Sequence, residues 1–248
     1  GEMKIHNLPG AEKGKPWLVN FISRFYIVII ILTIGGMLAF NGLDYIAKTR
    51  AHIRAVRAGH GEVRMTTWVR VQHFLLLGLF LALTYTGFVH KYPDAFWSWP
   101  FKLLENGGYI RGMIHRIAGW AFTILFGIHL VALFCTPRGH TYLKELWVRL
   151  HDLKDAFAQL FFNLGLRATP PPPRRFNYAE KAEYWALVWG SFVMIITGVM
   201  LIFTETVLRT MPKVWHDVAQ VIHYYEAVLA TLAIIVWHFY WVIFDPKE

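Results

Sequence analysis

The stretch RGMIHRIAGWAFTILFGIHL, residues 111–130, decides the fold. Its charged side chains, Arg111 and Arg116, sit near one end, and the chain then runs apolar to Cys135. At 1.5 Å per residue, such a helix is long enough to cross the ~30 Å apolar core of a bilayer. The stretch also carries two histidines, His115 and His129, 14 residues apart. That many steps of about 100° come within about 40° of whole turns, so both lie on one face, about 21 Å apart along the axis. A second run, IHYYEAVLATLAIIVWHFYWVIFDP at 222–246, sets His223 and His238 15 residues apart. These two are about 60° from eclipsed and about 22 Å apart.

Five apolar runs are long enough to span: about Leu18–Phe40, Val71–His90, Met113–Cys135, Ala182–Phe203 and Val218–Phe244. The expected class is all-α, a membrane bundle of five transmembrane helices. Residues 1–17 read as a polar tail, 18–67 as an N-terminal transmembrane helix with a basic loop, and 68–248 as a four-helix domain. The composition agrees: 56% of residues are hydrophobic and 17% charged, well below the quarter usual in soluble domains. The first run is too long for the apolar part of a signal peptide and lacks a small-residue cleavage site. Counting Lys and Arg by side gives fifteen on the side of the two long loops and the C-terminus, against ten opposite. That bias puts the C-terminus in the cytoplasm and the N-terminus in the periplasm of a bacterial inner membrane. The net charge of +9 therefore reads as topology and lipid contact, not nucleic-acid binding. An amphipathic surface helix is expected at about 141–165, where Leu143, Leu146, Leu150, Leu153, Phe157, Leu160 and Phe161 recur at helical spacing. Pro170–Pro173 then forms a stiff extended segment. The lone Cys135 excludes an internal disulfide, and the lack of a CxxCH excludes covalent haem attachment within this sequence.

Apart from His90, the last residue of its run, five histidines fall inside apolar runs: His73, His115, His129, His223 and His238. Ionisable groups in the membrane interior are costly and mark function. The third and fifth helices run in the same direction, so His115 and His223 share the outer depth and His129 and His238 the inner one. Each pair is placed to clamp one haem iron axially, giving two haems b stacked across the membrane. A structural zinc would instead gather four ligands in one cluster. Gly119, Gly127 and Ala227, near ligand positions, leave room beside a flat ring. His73, at the start of the second helix, reaches the same inner depth, so three histidines compete for two inner positions. Arg70, Arg111, Arg116 and Lys181 are candidate partners for the haem carboxylates.

The residues resemble a known family. RVQHFLLLGLFLALTYTGFVHKYP (70–93), the 111–130 stretch, FNYAEKAEYWALVWGSFVMIITGVML (176–201) and the 222–246 stretch look like the four helices of the b-type cytochrome subunits of formate dehydrogenases, nickel–iron hydrogenases and thiosulfate reductases. The carrying motifs are Arg70-x-x-His73, Thr86–Gly87, Asn177–Tyr178-x-x-Lys181-x-x-Tyr184 and Thr197–Gly198. The formate dehydrogenase pattern implies His73 with His238 for the inner haem and His115 with His223 for the outer. The sequence departs from it in carrying His129 and a 15-residue final spacing. Paired spacings of 14 and 15 look more like cytochrome b of bc-type complexes, which implies His129 with His238. The spacing favours this second pairing and leaves His73 for a propionate or quinone. FYIVIIILTIGGMLAFNGLDYIAKTR (25–50) is similar to helices that join periplasmic multihaem c-type cytochromes to a b-type membrane part.

Two haems in series imply a mobile apolar redox carrier, menaquinone or ubiquinone, and a redox partner subunit, a periplasmic multihaem c-type cytochrome or an iron–sulfur subunit. A quinone site needs a titratable group: His73, Lys181, Glu180 or Glu183 inside, Glu226, Glu205 or Asp217 outside. Two other readings are a haem-bearing anchor without a quinone site and an ion transporter using a histidine relay.

Overall fold

The computed structural model describes residues 17–52, 67–172 and 174–244. The N-terminal tail, the loop bearing Arg54, Arg57, His60 and Arg64, and Lys247 lie outside the described residues. In chain order the helices are α1 (Trp17–His52), α2 (Thr67–Lys91), α3 (Trp99–Lys102), α4 (Gly107–Cys135), α5 (Pro137–Leu146), α6 (Leu150–Asn163), α7 (Tyr178–Ile202), α8 (Thr204–Thr210) and α9 (Lys213–Ala233). The last helix continues in π-helical form through Ile234–His238 and Tyr240–Phe244. No strand occurs among the described residues.

Among the described residues, five helices, α1, α2, α4, α7 and α9 with its extension, are long and apolar enough to cross a membrane. Their outward faces are apolar: Ile31, Leu32, Trp189 and Ile196 are all more than half exposed. In water such a surface invites aggregation, whereas in lipid it is the solvated side. The chain is an all-α membrane bundle. Two hairpins, α2 on α4 and α7 on α9, form its centre; α4 meets α7, and α1 lies along α9.

The connections have local causes. Asn106 takes a left-handed conformation (φ 63°) ahead of α4, and a Cβ on the next residue, Gly107, would collide with the Phe101 carbonyl. At the α4–α5 corner the Thr136 hydroxyl accepts the Gly139 N–H (2.9 Å) and Pro137 opens α5, as helix starts favour. A Cβ at Gly139 would strike the Ala132 carbonyl. Asn177 caps α7: its side chain accepts the Glu180 N–H and Glu180 accepts the Asn177 N–H. Glu180, an inner-side candidate by sequence, is thus a capping residue.

The single amphipathic helix expected over 141–165 is in fact two, α5 and α6, broken at an extended Trp147. The break comes from α7. Trp185 Nε1 donates to the Leu146 carbonyl (3.0 Å) and Lys181 Nζ to that of Trp147 (3.4 Å). Asp152 accepts the Arg149 N–H (2.7 Å) and starts the next helix. Apolar periodicity across 141–165 carries no trace of these long-range partners. Helix α6 leaves Leu150, Leu153, Phe157 and Phe161 exposed, as a surface helix does. Its polar face docks on α1, where Gln159 and Asn163 both donate to the fully buried Asp44. Asp44 also pairs with Lys48 (2.7 Å) and accepts the Tyr240 hydroxyl (2.7 Å), tying α1, α6 and the last helix together.

Candidate functional site

Between the helices runs a cavity of about 2560 Å³, lined from Arg111, His115 and His223 at one end to His73, Glu183 and His238 at the other. That is more than twice the volume of a pocket for one drug-sized ligand, roughly 300–1,000 Å³. Two histidine pairs face each other across it. His115 and His223 have ring centroids 6.4 Å apart and planes at 72°. His73 and His238 have centroids 6.2 Å apart and planes at 39°. A metal held between two imidazoles at about 2 Å, with a ring radius of about 1.2 Å on each side, requires a centroid separation of about 6.4 Å. Both pairs meet that spacing.

The His115–His223 pair is built twice by the same device. Thr86 donates its hydroxyl to the Ala82 carbonyl (2.6 Å) and so must accept from His115 Nδ1 (2.8 Å). Thr197 donates to the Val193 carbonyl (2.7 Å) and accepts from His223 Nδ1 (2.9 Å). Each bond places the proton on Nδ1 and leaves Nε2 with a free lone pair, as a metal ligand needs. The following residue, Gly87 or Gly198, lets the ring approach: a Cβ at either would lie 3.3 Å from the histidine Cε1. The signal for this was in the sequence as the Thr–Gly dipeptide recurring in two helices. Its role emerges only when each dipeptide meets the histidine of the next spanning helix.

At the inner pair, His238 Nδ1 lies 3.3 Å from Glu183 Oε2, so a carboxylate does there what the threonines do outside. The register of His238 has a particular cause. A π-turn takes in one more residue than an α-turn without adding to the rotation. The π-turn over Ile234–His238 therefore gives the 15-residue spacing roughly the phase of 14.

The spacings favoured His129 as partner of His238, but the structure places His73 there. His129 does not line the cavity; its Nε2 bonds the Tyr184 hydroxyl at 3.0 Å. The reason is packing. The end of α4 that bears His129 turns toward α7, which offers Tyr184. Among the candidate carboxylate partners, Arg111 and Arg116 line the cavity at the end of His115 and His223. Arg111 bonds His90 Nδ1 through Nη2 (2.9 Å), and its Nε is buried without a partner, a donor suited to an anionic group. Arg70 is exposed at the start of α2 and does not line the cavity. Lys181 is turned away altogether: its ammonium meets both Asp152 oxygens at 2.9 Å in a buried ion pair. Burial pushes the Asp152 carboxyl up, but the bonds from Lys181 and the Arg149 N–H outweigh it and hold it below its ordinary value. Of the carboxylates, Glu226 is buried and bonds Tyr26 of α1, while Glu205 and Asp217 pair with Arg209 and Lys213. Gly119 and Ala227 line the cavity and Gly127 does not.

No curated protein matches the chain. The family model of prokaryotic cytochrome b561 matches residues 64–247, which span α2, α4, α7 and α9 and every histidine of the two pairs. Those helices, with imidazole pairs at the spacing an axially held iron requires, agree with that match, and the chain belongs to the prokaryotic cytochrome b561 family, the membrane-bound, haem-b-carrying cytochromes of electron transfer.

Proposed function

We propose that this chain carries two haems b and moves electrons across the membrane between a quinone and a redox partner subunit on the periplasmic side. The observation that supports it is the pair of facing imidazoles at each end of one cavity, 6.4 and 6.2 Å apart. His115 and His223 hold the outer haem, and His73 and His238 the inner one. Haem iron, when bound, accepts and releases one electron at a time. Thr86 and Thr197 keep the outer imidazoles in the tautomer that presents Nε2, and Glu183 does the same for His238. Arg111 and Arg116 neutralise the outer carboxylates.

The quinone, menaquinone or ubiquinone, binds toward the inner pair. Tyr184 and Glu183 line the cavity there, and His129 holds the Tyr184 hydroxyl, so the site has a hydroxyl and a carboxylate for the protons that accompany two electrons. The excess of Lys and Arg in the long loops puts this end in the cytoplasm, with the N-terminus periplasmic. The partner is a periplasmic multihaem c-type cytochrome or an iron–sulfur subunit.

The test is haem b per polypeptide in the purified chain, with single alanine substitutions. His115→Ala and His238→Ala should each remove one haem of two, and a quinol should reduce the remainder unless a headgroup-analogue inhibitor is present. One haem per chain, or loss of haem in His129→Ala but not in His73→Ala, would overturn the assignment.

A further inference from the structure

Helix α1 lies outside the residues that match the family, yet its buried polar side chains reach the segment that bears His238. Asn41, buried at 6% exposure, donates from Nδ2 to the Val236 carbonyl at 2.7 Å. A carbonyl only accepts, so it is the amide nitrogen that faces it. Val236 is the middle residue of the π-turn Ile234–His238. Where a helix passes from i+4 to i+5 bonding, a carbonyl is freed from the regular ladder, and a side-chain donor inserted there favours the wider turn. One helical turn further along α1, Asp44 accepts the Tyr240 hydroxyl, and a second turn on, Lys48 stands 4.6 Å over the Trp241 ring. Phe40 packs on Trp237, 5.7 Å between centroids. The side chains of α1 thus grip the helix on both sides of His238.

The consequence is one of phase. If the π-turn relaxed to α-helix, everything beyond it would rotate by the angle of one residue, about 100°. The His238 ring would then leave both His73 and Glu183. We propose that Asn41 is a positioning residue: it holds the last helix in its π register and thereby sets His238 as the inner axial ligand. This rests on the assignment of His238 to the inner haem.

The experiment uses the full chain purified with its haems. The two low-spin signals and the two midpoint potentials are followed separately, using His115→Ala to identify the inner one. Asn41→Leu, which keeps the volume and removes the donor, should shift the inner signal and potential or lose that haem, and leave the outer haem unchanged. Adding deletion of Ile235, a lipid-facing residue of the π-turn at 54% exposure, supplies the 14-residue α-helical spacing directly. That double variant should recover the inner signal. If Asn41→Leu does not accumulate, Asn41→Ser, which draws the donor back from the carbonyl, is read the same way. Unchanged inner signal and potential in the Asn41 variant, or no recovery on deleting Ile235, would overturn the inference. If His238→Ala itself retained both haems, the ligand assignment would be at fault instead.

Discussion

The threonines behind the outer histidines offer the sharpest test of the site. Thr197→Val changes almost no volume at a position 6% exposed, and Thr86→Val does the same at 2%. Each removes the acceptor of a 2.9 or 2.8 Å bond and leaves a buried imidazole N–H without a partner. An unsatisfied buried donor costs about 1–3 kcal/mol, or about 5- to 150-fold in binding. That range brackets the roughly 10- to 100-fold loss usual when the outer partner of a metal-ligating histidine is removed. The expected outcome is an outer haem that dissociates about 10- to 100-fold faster into a haem-accepting protein. On the proposed two-haem arrangement, the haem at His73 and His238 serves as the control. Thr197→Ser and Thr86→Ser keep the hydroxyl and should behave like the parent. Valine variants with unchanged dissociation and unchanged low-spin spectra, or serine variants as impaired as valine ones, would refute the idea that these hydroxyls fix the ligand tautomer.

Three other outcomes are expected. Gly198→Ala sets a methyl 3.3 Å from the His223 Cε1 and should shift the outer haem's midpoint potential while leaving the inner one in place, read by redox titration. Lys181→Met strands the buried Asp152 carboxylate and should cost about 3–5 kcal/mol, seen as a lower melting temperature in detergent, whereas haem content in the surviving fraction stays unchanged. Because the folded-state value of Asp152 lies below its ordinary 3.8, its contribution is present above that pH and is lost as pH falls through the lowered value. Asp152→Asn should therefore flatten the acid side of the stability profile.

Some of this was visible before any helix met another. Hydropathy and rotation per residue are local properties, so residues 111–130 and 222–246 already declared two spanning helices with two histidines each at matching depths. That locality is why His115 and His223 could be matched in depth. The five spans and the all-α class followed for the same reason.

The inner pair did not, because depth cannot choose between His73 and His129. That choice depends on which helix faces meet, and α7 draws His129 toward Tyr184 while α2 brings His73 to His238. A straight α-helix also puts His238 about 60° off the face of His223. Only the π-turn, with Asn41 on its carbonyl, corrects that phase, and neither is written in the local periodicity. The same holds for Lys181, whose charge at the start of α7 looked free for a haem carboxylate until Asp152 arrived from α6 to bind it. Sequence determines what a single helix can present. Tertiary packing decides which presented group meets which, because a buried polar atom must find its partner on a neighbouring element.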